Sequence, residues 1–419
     1  MKRREIIVTD KKNFIETRLN KNFSFAEILA ILLISGQVAL YVFMWFQLLR
    51  NPSLKTMDFV SFYAVGRLIR AGEYGQIYNY EAEAVVQRDL VGGSYDEPLI
   101  FNHPPHVTPL QALIASDDYI RAYGYWSALR LLVLAACVEL IRRHFLRCGW
   151  AKLHACLGAL GGVTFLPIFI GFLGGQDTVF SLIGLLIWML ALLNGWEVFA
   201  GLGLAFATLT PTIAGALALP LFASRRRAGL WFIVGSLGLA LYSLLLVGVQ
   251  GLKDFLSLLQ TSSQGSSYGF SWIGMYNLLG FLVRTFPNLN IETSRLIAWV
   301  AAAISIFAVC ILWWNKQGKL HIGHIGISVT LGTLTSPHLN LHALGFLLLP
   351  LLGMIMMLYR RGNRAIALIL IPVTTTFLVF ILFFIPAWNF SAYYLLTFAI
   401  IFCLIMLKSA PSLHNELVN

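Results

Sequence analysis

The chain alternates apolar segments of near membrane-spanning length with short polar connections. A transmembrane helix needs about 20 apolar residues to cross roughly 30 Å of hydrocarbon. About twelve segments approach this length, two of them short: 25–49, 121–141, 152–171, 177–194, 197–210, 211–224, 228–248, 295–314, 321–335, 339–358, 364–386 and 389–407. The pattern predicts an all-α polytopic membrane protein with one integral membrane domain over residues 25–408.

The composition agrees with this class. Hydrophobic residues make up 58% of the 419 positions and charged residues only 12%, so the chain has too little polar surface to dissolve in water. A net charge of +11 would suggest a nucleic-acid partner in a soluble protein. Here the basic residues mark loops between spans, and we expect membrane lipids as partners and no nucleic acid.

Basic residues cluster between alternate apolar segments. The clusters are Arg142 with Arg143, Arg225 to Arg227, Lys316 with Lys319, Arg360 with Arg361, and Lys408. The arm 1–24 is also rich in Lys and Arg, and if it is cytoplasmic then every cluster falls on the cytoplasmic side, as the positive-inside bias requires. Both the arm and the tail 409–419 are therefore predicted to be cytoplasmic. The first segment is too long for a cleaved signal peptide and is expected to remain as an anchor.

Two neighbouring segments, 197–210 and 211–224, are too short to cross a membrane separately. About fourteen residues give a helix of roughly 21 Å. We expect a hairpin that turns at Thr210, Pro211 and Thr212 and is either buried in protein or lines a wet cavity. Merging the two segments would place Arg225 on the opposite side of the membrane, against the charge pattern.

No cofactor site is evident in the sequence. The five cysteines have no paired spacing, which argues against disulfides and zinc, and no glycine-rich nucleotide loop follows a strand. His338 and His342 are four residues apart and would face the same way on a helix, but no nearby Glu or Cys completes a metal site. We expect these histidines to bind substrate and the protein to need no metal or other cofactor.

The connections on the side opposite the basic clusters hold most of the remaining polar residues. They are 50–120, 174–177, 249–294, 335–342 and 386–389. The first, about seventy residues long, is too long for a simple connection and too aromatic for a disordered linker. We therefore expect the first extracytoplasmic loop 50–120 and the second 249–294 to carry function.

Asp58 follows the first span and is the one carboxylate between Glu27 and Glu73. An Asp before a helical pattern most often caps the helix through its side chain. The alternative is a general base, and the two roles are compatible, because the positive helix end favours the ionised acid.

The residues after Asp58 predict a helix that lies in the membrane interface. Apolar residues recur at i, i+3 and i+4: Phe59, Phe62, Tyr63, Gly66 and Ile69. Arg67 and Arg70 lie one turn apart. They would either receive a phosphate group or extend to water as ordinary snorkelling residues.

Two further polar stretches allow both a structural and a functional interpretation. Residues 101–106, which include His103, form an extended, proline-stiffened segment before the second span. Residues 174–177, which include Gln176 and Asp177, would form either a normal interhelical turn or part of a substrate site.

The order of these landmarks resembles glycosyltransferase family 87, the polyprenol-phosphate-mannose-dependent mannosyltransferase-like membrane proteins of the GT-C class. The landmarks are Asp58-Phe59 with Phe62-Tyr63 and Gly66, Ile77-Tyr78, Phe101 with Pro104-Pro105, Gly175-Gln176, Ala200-Gly201-Leu202 with Thr210-Pro211, and Ser336-Pro337-His338. The similarity extends over roughly residues 25–350.

The resemblance implies a GT-C-like helical bundle in the plasma (inner) membrane, with an extracytoplasmic active site. It implies inverting transfer of a hexose, usually mannose, from a polyprenyl-phosphate sugar donor to a lipid or glycan acceptor. Asp58 matches the acidic residue taken as the general base, and His338 matches a polar residue of the same cavity. The residues expected to bind substrate are Tyr63, Arg67, Arg70, His103, Gln176, Asp177, His338 and His342.

One departure from the family pattern concerns the donor phosphate. Members often carry Lys immediately before the hairpin proline, where this chain has Thr210. On the resemblance, Arg67 or Arg70 would have to supply the missing cation.

Two other functions remain open at this level. A lipid transporter or flippase would share the spans and the basic loops, but it predicts charged or interrupted helices near the midplane and a repeat between halves. A non-catalytic scaffold predicts no cavity near Asp58.

Overall fold

The computed structural model describes residues 23–92, 98–262, 272–314 and 320–384. Within these ranges the chain forms helices and connecting turns, with no β-strand, so the predicted all-α class is confirmed. The last predicted span, 389–407, and the tail 409–419 lie outside the described residues, as does nearly all of the arm 1–24.

Sixteen α-helices occur in the described residues. They are α1 Phe25–Leu49, α2 Phe59–Arg70, α3 Tyr80–Val91, α4 Thr108–Ile114, α5 Tyr119–Arg147, α6 Lys152–Val163, α7 Leu166–Gly174, α8 Thr178–Leu193, α9 Glu197–Phe206, α10 Pro211–Ser224, α11 Arg226–Ser262, α12 Leu278–Thr285, α13 Ile291–Trp314, α14 Ile322–Leu334, α15 Leu348–Arg360 and α16 Arg364–Phe384. Helix α11 is kinked at Gly248, where φ is +69°. Helix α15 is preceded by a 3₁₀ segment, Leu341–Leu347.

The predicted count of about twelve spans is not confirmed. In the described residues, five helical stretches are long and apolar enough to cross a membrane, and the pair α6 and α7, bent by 50°, would add a sixth. Five other apolar helices, with α16 counted only as far as Phe380, have 10–17 residues, which is less than the about 20 residues that a span needs. The hydropathy pattern does not reveal where a helix breaks inside an apolar stretch.

Residues 50–92 and 98–118 form a folded helical unit that carries α2, α3 and α4. Helix α2 packs against both α3 and α4, and Phe59, Val60 and Phe62 are at most 1% exposed. The helix predicted after Asp58 is thus confirmed, but it is buried on nearly all sides by protein. The expectation of one apolar face laid on the membrane was wrong, because the other helices of the unit cover the remaining faces.

A close helix contact fixes the position of α2. A Cβ atom built on Gly66 would lie 2.5 Å from the carbonyl oxygen of Gln111 and 2.8 Å from Ala115 Cβ. Only glycine lets α2 approach α4 this closely, and this approach sets where Asp58 stands at the start of α2.

The predicted turn at Thr210 and Pro211 is confirmed. Helix α9 and a short 3₁₀ turn end at Leu209, and α10 begins at Pro211. Proline fits the first helical position because it lacks the N–H that would be unpaired there. Thr210 Oγ1 and Ser181 Oγ of α8 lie 2.9 Å apart, and Thr212 Oγ1 lies 2.9 Å from Ser336 Oγ. The hydroxyl groups of Thr210 and Thr212 therefore tie this break to α8 and to the 335–342 connection.

Candidate active site

A cavity of about 320 Å³ lies where several helix breaks meet. Its polar lining comes from the 101–106 segment, the start of α8, the Thr210 break and the 335–342 connection. Five predicted site residues line it: His103, Gln176, Asp177, His338 and His342. Sequence reasoning placed these residues in separate connections, and the fold brings them to one space.

Asp58 stands beside this cavity and is not part of its lining. It occupies the N-cap position of α2, but its side chain makes no capping hydrogen bond, so the capping prediction was wrong. Its backbone carbonyl accepts a hydrogen bond from Ser61 Oγ at 2.9 Å. The carboxylate is partly exposed and has no hydrogen-bond partner among the described residues, which leaves it able to accept a proton.

Two glycines allow Asp58 to approach α7. A Cβ on Gly174 would lie 3.3 Å from Asp58 Oδ2, and a Cβ on Gly175 would lie 2.4 Å from Phe59 Cβ. Gly175 also has φ of +82°, a conformation that glycine adopts at no steric cost. The Gly174-Gly175 pair therefore ends α7 and seats the start of α2 against the turn that carries Gln176 and Asp177.

His103 and Asp177 form a close, buried contact within the lining. His103 Nδ1 lies 3.0 Å from Asp177 Oδ2, and Asp177 is only 5% exposed. The backbone carbonyl of His103 accepts a 2.8 Å hydrogen bond from the Tyr78 hydroxyl. The His103 ring also packs against Phe62 of α2, with 4.7 Å between centroids. The histidine is thus fixed by α2 and by the segment between α2 and α3.

His342 links the two carboxylates electrostatically. It lines the cavity and interacts with Asp58, Asp177 and His103. The charges of Asp58 and Asp177 both act on this histidine, so Asp58 lies close to the cavity wall. The predicted helical pairing of His338 with His342 is not seen, because His338 lies in the connection before the 3₁₀ segment.

Burial keeps two nearby histidines neutral. Desolvation, reinforced by the neighbouring His342 and His103, lowers the pKa of His338 to about 4. Burial likewise lowers the pKa of His106 to about 4, although the negative charge of Asp177 acts to raise it. At neutral pH each ring therefore carries one donor and one acceptor nitrogen, and of the two rings it is His338 that lines the cavity.

The segment before α4 is held by a buried acid. Glu83 of α3 is fully buried and accepts a 2.9 Å hydrogen bond from the backbone N–H of Phe101. Burial raises the pKa of Glu83 well above its ordinary value. Through this hydrogen bond Glu83 holds the start of the segment that places His103 in the cavity wall.

Arg130 supports the break between α7 and α8 and was missed from the sequence. It is fully buried in α5, and its Nη1 donates to the carbonyls of Phe172, at 2.7 Å, and Gly171, at 3.2 Å. Trp126 Nε1 donates to the carbonyl of Gly175 at 2.6 Å. Burying the charge of an arginine inside an apolar segment costs free energy unless the side chain is paired. The presence of Arg130 in such a segment was therefore the sequence signal for a structural or functional role.

Tyr63, Arg67 and Arg70 do not reach the cavity beside Asp58. The Tyr63 hydroxyl donates to the Ser116 carbonyl at 2.9 Å, Arg67 is paired with Asp117, and Arg70 donates to the Ala115 carbonyl. Tyr63 and Arg67 line a separate cavity of about 740 Å³. The geometry does not support these three residues as partners of the substrate that occupies the site beside Asp58.

Comparison with known proteins identifies the family. The model of glycosyltransferase family 87 matches residues 101–337, which is more than half of the chain. The chain belongs to glycosyltransferase family 87. No curated protein and no solved structure matches it.

The family match covers most of the cavity of this family 87 glycosyltransferase. It includes His103, Gln176, Asp177 and the Thr210 break, and it ends next to His338. Asp58 and His342 lie outside the matched residues. The resemblance seen in the sequence is confirmed, and with it the assignment as a glycosyltransferase.

Several cavity residues of the glycosyltransferase were not singled out from the sequence for substrate binding. They are Asn102, Thr210, Thr212, Trp272, Arg295, Trp299 and Asn340. Among the described residues, no group of three or more His, Cys, Asp or Glu side chains is placed to hold a metal ion.

Proposed function

We propose that this family 87 glycosyltransferase transfers a hexose, mannose by its resemblance to the family, from a polyprenyl-phosphate sugar to a lipid or glycan acceptor. The supporting observation is the convergence of His103, Asp177, His338 and His342 on one cavity, with Asp58 beside it. A base, hydroxyl-binding groups and an enclosed space are what sugar transfer requires.

Asp58 is the proposed general base. In an inverting transfer, the acceptor hydroxyl loses its proton to the base while its oxygen attacks the anomeric carbon. The bond from that carbon to the donor phosphate breaks on the opposite face, and the phosphate leaves with the electron pair. An uncapped carboxylate such as Asp58 suits the proton step, and its charge acts on His342, which lines the cavity.

Asp177 is the second carboxylate of the site. Its Oδ2 lies 3.0 Å from His103 Nδ1 and its side chain is buried, whereas Asp58 is partly exposed and is therefore more accessible to an acceptor hydroxyl. We assign Asp177 to orienting His103 and the sugar hydroxyls.

The lining of the cavity favours a lipid-linked donor. On one side it is polar, while the other presents apolar side chains from α11, α12 and α13: Leu259, Leu279, Ala298 and Trp299. A prenyl chain would gain about 25 cal/mol for each Å² of apolar surface that it buries there.

The leaving phosphate needs no metal if hydrogen-bond donors or cations stabilise its charge. Thr210, Thr212 and Asn340 supply such donors from the cavity wall. We therefore expect transfer to proceed in a metal chelator.

The positions of the basic residues support an extracytoplasmic cavity. At the Arg225 end of the bundle, opposite the cavity, Arg225 pairs with Glu197 at 3.9 Å. At the same end, Arg147 lies over the ring of Trp196. Positive charge gathers on the cytoplasmic side of membrane proteins. The Arg225 end is then cytoplasmic, and the cavity faces the outside of the plasma membrane.

The transporter alternative predicted interrupted helices, and the described residues contain such breaks between α6 and α7 and at Thr210. Membership of family 87 decides for the transferase. The breaks then serve to form the cavity.

A donor assay tests the proposal. Purified protein is incubated with radiolabelled prenyl-phosphate mannose, glucose or arabinose and a crude lipid extract as acceptor. We expect sugar release and transfer from the mannose donor. Release of sugar from none of the three donors would contradict a prenyl-phosphate transferase and favour the flippase.

A further inference from the structure

Arg295 is the one lysine or arginine among the described residues that line the cavity. It lies in the first part of α13 and is partly buried, with 28% of its side chain exposed. The carboxylate in the same lining is Asp177, whose Oδ2 lies 3.0 Å from His103 Nδ1. Arg295 itself pairs with Glu292 and makes no ion pair with Asp177 in the described part of the chain.

The bonding of Arg295 leaves most of its guanidinium unused. Nη1 contacts both carboxylate oxygens of Glu292, at 3.0 and 3.3 Å. Nε and Nη2 have no hydrogen-bond partner among the described residues. Because the Glu292 side chain is 69% exposed, this ion pair is solvated and contributes little to stability. An incoming anion would find free donors and a weakly held partner.

The neighbours of Arg295 determine what kind of anion fits. Ala298 and Trp299, three and four residues later on α13, line the same cavity, and such spacing places side chains on one helix face. Leu259 of α11 and Leu279 of α12 extend the apolar lining. A guanidinium next to an apolar surface suits a phosphate monoester or diester with an attached hydrocarbon chain.

We infer that Arg295 binds the phosphate of the prenyl-phosphate donor, with the first isoprene units lying on Trp299 and Leu259. A guanidinium presents planar pairs of N–H donors that match phosphate oxygens. As the bond to the sugar breaks, negative charge grows on the phosphate, and Arg295 stabilises it. This inference rests on the proposed function and assigns its donor contact to α13, in place of Arg67 and Arg70.

Binding of non-reactive ligands tests this role without relying on turnover. Full-length protein in detergent is titrated by calorimetry with farnesyl phosphate, farnesol and inorganic phosphate. The wild-type protein should bind farnesyl phosphate more tightly than either of the other two. Arg295→Gln should weaken farnesyl phosphate binding at least about tenfold, the size expected for charged hydrogen bonds, and leave farnesol binding unchanged. Arg295→Lys should lie between.

Two further variants separate ligand binding from a structural role. Glu292→Gln removes the competing partner and should keep or tighten farnesyl phosphate binding. If Arg295 served only its ion pair, Glu292→Gln would weaken binding as much as Arg295→Gln, and the inference would be overturned. Arg121→Gln, an exposed arginine in the first turn of α5, is the matched control and should change nothing.

The outcomes distinguish this inference from the proposed function. Unchanged farnesyl phosphate binding in Arg295→Gln, with a clear preference over farnesol in the wild-type protein, would remove Arg295 and leave the donor class intact. A wild-type protein that does not prefer farnesyl phosphate over farnesol would contradict the prenyl-phosphate donor itself. Inorganic phosphate that binds as tightly as farnesyl phosphate would mean that the site takes a free phosphate.

Discussion

His103 Nδ1 and Asp177 Oδ2 lie 3.0 Å apart, although one precedes α4 and the other begins α8. The contact joins the helical unit of residues 50–92 and 98–118 to the membrane helices. It also sets the side of the cavity next to Asp58. Any change to either partner should therefore affect substrate orientation more than folding.

Asp177→Asn is expected to lower kcat/KM by about 10- to 100-fold, since the amide keeps the shape but loses the charge that orients His103. Steady-state transfer from the labelled donor measures the effect. Asp254→Asn, on the exposed part of α11, is the control. Wild-type kinetics in Asp177→Asn would show that the contact with His103 has no part in transfer.

Gly174→Ala is expected to reduce kcat through the position of Asp58. The added methyl would stand 3.3 Å from Asp58 Oδ2, so the carboxylate must shift by a few tenths of an ångström. Misplacement of a catalytic group on this scale lowers the rate strongly. Gly124→Ala, which meets nothing within 4 Å, should leave activity unchanged. Equal activity in the two variants would mean that the placement of Asp58 is not critical.

Acid should destabilise the protein through His338. Its pKa is lowered to about 4 in the folded protein, against about 6.5 when unfolded, so the unfolded chain binds more protons between these values. This contribution to stability is complete above pH 6.5 and is lost as the pH falls toward 4. Melting temperatures in detergent at pH 7 and pH 5 measure the effect. His338→Gln should show a smaller fall in melting temperature than the wild-type protein, and an equal fall would contradict the lowered pKa.

Arg130→Leu is expected to destabilise the fold by about 3–5 kcal/mol, because the carbonyls of Gly171 and Phe172 would lose a buried charged donor. Chemical unfolding in detergent measures the loss. Arg143→Leu, at the exposed end of α5, is the control and should cost less than about 1 kcal/mol. A loss of the same small size in Arg130→Leu would show that water replaces the arginine.

Much of the site follows from where polar residues occur in an apolar chain. His103, Gln176, Asp177, His338 and His342 all stand in connections that the sequence marks by their polar residues, and it is the fold that brings these connections to one cavity. The turn at Thr210 followed from segment length and from the proline. The positions of the connections and of the turn depend on local sequence and on the membrane, so sequence alone is sufficient to predict them.

Other features depend on packing that the sequence does not reveal. Arg67 and Arg70 are engaged by Asp117 and by the Ala115 carbonyl, partners set by the way α2 meets α4. Arg295 begins an apolar segment and looks like an ordinary flanking residue until α13 is placed against the cavity. The count of about twelve spans is not confirmed in the described residues, because apolar composition continues across helix breaks.

The most direct test concerns the proton that Asp58 is proposed to take. Transfer of labelled sugar is measured in single turnover for the wild-type protein, Asp58→Asn and Asp118→Asn. Asp118 caps α5 through its side chain, and asparagine caps equally well, so this control should keep full activity. We predict that Asp58→Asn loses about 100- to 10,000-fold in rate, with unchanged melting temperature and donor binding. A wild-type rate in Asp58→Asn would contradict the assignment of Asp58 as the base.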